Sequence, residues 1–100
     1  MDRDFEQLSV DFESKAQNLF MSTYEKFSLS VKKIDRQKDE NVFQLQLGKY
    51  VATLRSQLEN VAYELLMKNK RIKNSDRVNR VLKNNINVYL IELRQKARLL

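Results

Sequence analysis

Leu47-Gly48-Lys49-Tyr50-Val51-Ala52-Thr53-Leu54-Arg55-Ser56-Gln57-Leu58-Glu59-Asn60-Val61-Ala62-Tyr63-Glu64-Leu65 is the stretch on which the fold reading turns. Leu47, Val51, Leu54, Leu58, Val61 and Leu65 follow one another in alternating steps of four and three. That is the seam one helix offers another in knobs-into-holes packing. Gly48 sits inside the pattern, where it costs about 1 kcal/mol relative to alanine, and it predicts either a close helix approach or simple tolerance. A second apolar row, Leu45, Ala52, Ser56, Tyr63 and Met67, lies opposite the seam. A helix with one buried stripe is polar on its far side, so this row reads either as scattered surface apolars or as a second contact surface for another chain.

Outward from that helix the same periodicity recurs on both sides. Upstream, Phe5, Leu8, Phe12, Ala16, Leu19, Phe20, Tyr24, Phe27, Val31 and Ile34 are spaced by three and four over most of their length. At about 100° per residue they share one face. Asp2, Asp4 and Glu6 stand where a helix N-terminus favours negative charge. Downstream, Val78, Val81, Leu82, Ile86, Tyr89, Leu90, Leu93, Ala97 and Leu100 form a third stripe. Residues 86–91 also suit a strand by propensity, but the helical spacing on either side decides for helix. Asn85 falls within the stripe and is read as sitting at its edge.

Between the stripes lie two charged stretches, Lys32–Asn41 and Lys68–Asp76, each read as a turn. Asn74 or Ser75 is positioned to cap the last helix. The 100 residues hold one Gly and no Pro, the usual punctuation of sheets and tight turns. The expected fold is therefore all-α. It is a single helical domain over 1–100, with helices at roughly 4–34, 40–68 and 75–100. They form an antiparallel three-helix bundle, or a long hairpin with coiled-coil-like packing that also suits a dimer.

Composition excludes several chemistries. Without His or Cys there is no imidazole or thiolate metal site, no catalytic triad and no disulfide. Ser30 and Lys33 have the spacing of a serine activated by a lysine, but the companion motifs are missing. Asp35 and Asp39, four apart, offer two carboxylates without the glycine turn or further acidic ligands of a cation loop. No enzyme, cofactor or small-molecule substrate is expected. The opening residues have no apolar leader pattern, and no run reaches the length of a membrane span. An intracellular protein, cytoplasmic or nuclear, is the expectation.

Charge is segregated along the chain: residues 1–31 carry a net −3, residues 32–67 a net +1 and residues 68–100 a net +8. The first and third helices are thus expected to attract one another. Lys70, Arg71 and Lys73 crowd the second turn, and Arg77, Arg80, Lys83, Arg94 and Arg98 follow along the third helix. These residues suit phosphates, an acidic protein or a solvated face. The reading that results is a helical interaction module whose partner is another helical protein or a second copy of itself. Leu45, Ala52, Tyr63 and Met67 would make that contact. The alternative is a nucleic-acid-binding protein using the basic third helix and the turn before it; a membrane surface is less favoured than either.

Overall fold

The computed structural model describes residues 3–69 and 76–100, and within them the chain is three α-helices. These are α1 (Arg3–Val31), α2 (Glu40–Lys68) and α3 (Asp76–Ala97). Helices α1 and α2 have 29 residues each, about 43 Å at about 1.5 Å per residue. That length sets the long dimension of a body measuring 54 × 21 × 18 Å.

α1 stops at Val31, three residues short of the predicted end, because the turn has a better use for the backbone. The Asp35 carboxylate accepts the N–H of Gln37 at 3.1 Å. Its carbonyl accepts the N–H groups of Lys38 and Asp39 at 3.0 and 2.7 Å. Aspartate competes with helix in this way wherever its side chain reaches the backbone. At the far end of α2 the N–H and side-chain amide of Asn69 both donate to the Leu65 carbonyl, satisfying an acceptor the helix leaves free. α3 ends at Ala97, not Leu100, and closes with tight bonds from Leu99 to Lys96 and from Leu100 to Ala97. Leu100 is consequently 48% exposed and leaves the core it was expected to join. The predicted caps Asn74 and Ser75 lie outside the described residues.

The core is one continuous cluster running the length of the helices. Leu8, Phe12, Phe20 and Phe27 from α1 meet Phe43, Leu54 and Leu58 from α2 and Leu82, Leu90 and Leu93 from α3. Five of the six seam residues on α2 are buried, and Val61 is half-buried. Ala62 takes its place, lining the cleft between α2 and α3 beside Leu82 and Ile86. The reason is that α2 has two neighbours, so its buried stripe is wider than a two-helix seam and reaches round to the α3 side.

Direction follows from contacts at the ends. Phe27 packs edge-on against Phe43 and Tyr50, with ring centroids 5.5 Å apart in both cases, which folds α2 back along α1. Arg36, in the turn between them, donates to the carbonyl of Arg98 just past α3. α3 therefore ends where α2 begins, and the three helices run up, down and up. α1 and α2 share the largest contact surface and α1 and α3 the smallest.

Gly48 occupies a helical position with ordinary φ, and a methyl group placed on it would meet nothing within 4 Å. No close approach inside this chain requires it. Gly48→Ala is expected to stabilise the isolated chain by about 0.5–1 kcal/mol through restricted unfolded-state freedom and better helix propensity. Urea unfolding with an unchanged slope checks this; a loss of stability would show that the site is under strain.

Candidate functional site

α2 is the least amphipathic of the three helices, and the cause is its outward face. Leu45, Tyr63 and Met67 stand 68%, 64% and 59% exposed there, with Ala52 and Ser56 also exposed between them. All lie opposite the buried residues Leu47, Leu54 and Leu58, as helical spacing requires. Val42, at the same end as Leu45, is exposed too. Val42 is not part of the row read from the sequence. Tyr63 is also at the rim of the α2–α3 cleft with Arg55, Glu59, Leu66 and Lys83.

The second candidate surface is on α3. Arg77, Arg80, Lys83, Arg94 and Arg98 are all exposed, and none forms an ion pair with a described residue. Asn84 and Asn87 share this outward side, together with Ile91. Lys70, Arg71 and Lys73, the remaining residues of the predicted basic cluster, lie outside the described residues. Ion pairs among the described residues are local, Arg36–Glu40 at 3.0 Å and Lys96–Glu92 at 3.9 Å. The expected attraction between acidic α1 and basic α3 thus produces no direct pair there. The cations of α3 point away from α1, leaving Lys96 over the rings of Phe20 and Tyr24 as the α3 cation that meets α1.

Where α1 and α3 meet thinly a furrow opens, edged by Glu13, Met21, Val88, Tyr89 and Glu92. Asn85 is half-buried on its wall, at the edge of the apolar stripe. The Tyr89 phenol is held above its ordinary pKa, first by burial and then by the carboxylates of Glu13 and Glu92, against an opposing hydrogen bond with Gln17. Beside the α1–α2 turn, Glu40 is held below the usual carboxylate range by hydrogen bonds from Gln44 and Arg36. Arg36 also stacks on Phe43, 4.2 Å from the ring centre, so one side chain ties the turn to α2 and to the end of α3. Its (i, i+4) partner was legible in sequence; the ring and the distant carbonyl were not.

The weaker chemical motifs are taken up by structure. Ser30 donates its hydroxyl proton to the Phe27 carbonyl, and Lys33 lies beyond the end of α1, so the two do not share a helix face. Asp35 and Asp39 sit in the turn, with Asp35 engaged as described. Among the described residues there is no group of three or more acidic side chains able to hold a metal ion. None of the described helices is long and apolar enough to cross a membrane. Comparison with protein families, with curated proteins and with solved structures finds none that matches this chain.

Proposed function

We propose that the chain is a helical interaction module, a small subunit, adaptor or chaperone that acts by packing the outward face of α2 against a helix of another chain. The observation that supports this reading is the exposure of Leu45, Tyr63 and Met67 on a helix whose opposite face already fills the core. Isolated exposed apolars are ordinary. A row repeating at helical spacing along one face is a different matter, since it presents the stripe that coiled-coil-like packing uses. Leu45, Tyr63 and Met67 are already partly covered, so covering the rest of each contributes about 1–2 kcal/mol.

Tyr63→Glu tests the reading. Tyr63 is solvent-exposed, so folding stability is expected to change by no more than about 0.5 kcal/mol. A charge placed on the covered face weakens the complex about thirtyfold or more. The measurement is the size of the tagged chain in an extract of its source cells, with circular dichroism of the purified variant as the folding control. The native chain is expected in an assembly larger than itself and the variant as a free chain. An intact assembly with Tyr63→Glu, or a native chain that runs free, would sink the reading.

A second reading has its own support: Arg77, Arg80, Lys83 and Arg94, on the outward side of α3, and Arg98 just past its end are exposed and form no ion pair with a described residue. That side suits a polyanion, nucleic acid above all, bound through its phosphates. The two surfaces lie on different helices and meet at the α2–α3 cleft, which Tyr63 and Lys83 both line.

A further inference from the structure

The outward face of α2 is self-complementary when read against its own reverse, and we infer that its partner is a second copy of this chain in antiparallel register. This rests on the proposal that the face is a docking surface; what it adds is the occupant. Along that face the positions Val42, Leu45, Lys49, Ala52, Ser56, Glu59, Tyr63 and Leu66 alternate in steps of three and four. Lys49 and Glu59 are charges within an otherwise apolar or small row.

A two-fold axis crossing α2 at the level of Leu54 brings together positions equidistant from it. Val42 then meets the partner copy's Leu66, and Leu45 meets its Tyr63. Lys49 meets Glu59, and the small Ala52 meets the small Ser56. Each pairing is of matching chemistry: apolar with apolar, cation with anion, small with small. The axis doubles each contact, so the dimer gains two Lys49–Glu59 pairs, as the symmetry of an isologous interface requires. In an antiparallel helix pair the two kinds of seam position face each other across the interface, and these pairings obey that rule.

The same charges reject the alternative register. Two parallel copies of α2 would set Lys49 against Lys49 and Glu59 against Glu59, and like charges so placed are strongly unfavourable. Within the chain both charges are exposed and neither forms an ion pair with a described residue. Val42, Leu45 and Tyr63 are exposed, and Leu66, half-buried against the chain's own core, borders the face at the α2–α3 cleft. The paired segment covers most of α2, about 36 Å at about 1.5 Å per residue.

Sedimentation of the purified chain through the micromolar range, at low and moderate salt, tests this. The native chain is expected to dimerise. Lys49→Glu and Glu59→Lys are each expected to weaken the dimer about tenfold or more, because each sets like charges together twice. An equimolar mixture of the two variants regains dimer, since each chain now carries what the other lacks. The double variant Lys49→Glu/Glu59→Lys regains it alone. A native chain that stays monomeric, single variants as tight as native, or a mixture no tighter than its components would each overturn the inference. If the purified chain is monomeric while Tyr63→Glu still releases it from a larger assembly in extracts, the self-pairing fails and the docking face stands. If Tyr63→Glu changes nothing in the extract, the face itself fails.

Discussion

Phe27→Ala is expected to lower the stability of the fold by about 3–5 kcal/mol, the cost of deleting a fully buried aromatic side chain and leaving its cavity. Phe27 is 0% exposed and presents its ring to the edges of both Phe43 and Tyr50. The three rings lie where α2 turns back on α1, the most extensive interface in the molecule. Collapse cannot close the gap cheaply, because Phe43 is itself held by the Arg36 guanidinium stacked 4.2 Å from its ring centre. For a chain of this size each kcal/mol corresponds to about 4–8 °C in melting temperature. Total stabilities lie near 5–15 kcal/mol, so the loss is a large share of the total and lowers the melting temperature by about 12–40 °C. Thermal and urea unfolding measure the loss. A change below about 1 kcal/mol would mean that the turn end of the bundle is not a cooperative part of the core.

Much of this architecture is legible in the amino-acid order, and the misses have physical causes. Three stripes at helical spacing, separated by two charged stretches, define three helices. The exchange of Val61 for Ala62 in the core is a two-neighbour effect. A heptad seam describes packing against one helix, and α3 claims the adjacent edge. The early end of α1 opens a turn in which the Ile34 N–H donates back to the Val31 carbonyl and Asp35 sets its side chain on the backbone of Gln37, local choices that apolar periodicity does not register. Arg36 shows the opposite problem. Its bond to the Arg98 carbonyl joins residues 62 apart in sequence, and nothing in the spacing of charges foretells it. The outward apolar row on α2 was visible because it repeats at helical spacing. The charge segregation was visible too, but its expected consequence did not follow: no cation of α3 pairs with an α1 carboxylate among the described residues, and Arg80, Arg94 and Arg98 stand exposed.

That outward placement gives the phosphate reading a large and specific consequence. Each cation that neutralises a phosphate releases counterions, so the logarithm of affinity falls with the logarithm of salt by about 0.9 per contact. If four of the five cations Arg77, Arg80, Lys83, Arg94 and Arg98 engage duplex nucleic acid, raising salt fourfold weakens binding about 100-fold or more. Replacing Arg80, Arg94 and Arg98 by Gln removes three contacts and flattens that dependence, leaving about a three- to tenfold loss over the same range. The replaced side chains are exposed and take no part in an ion pair with a described residue, so helicity and melting are expected to stay as they are. Because the contacts are to phosphates, the weakening is equal for all sequences. Tyr63→Glu, on the outward face of α2, is expected to leave the slope unchanged in a chain that binds as a monomer. In a dimer it halves the number of basic helices on one molecule and lowers the slope with the loss of assembly. Titration of a short duplex by fluorescence anisotropy at several salt concentrations therefore reads both surfaces in one experiment. Absence of binding at low salt would eliminate the phosphate reading and leave the α3 cations as a hydrated face. Binding whose slope ignores the three Gln substitutions would place the contact elsewhere on the chain.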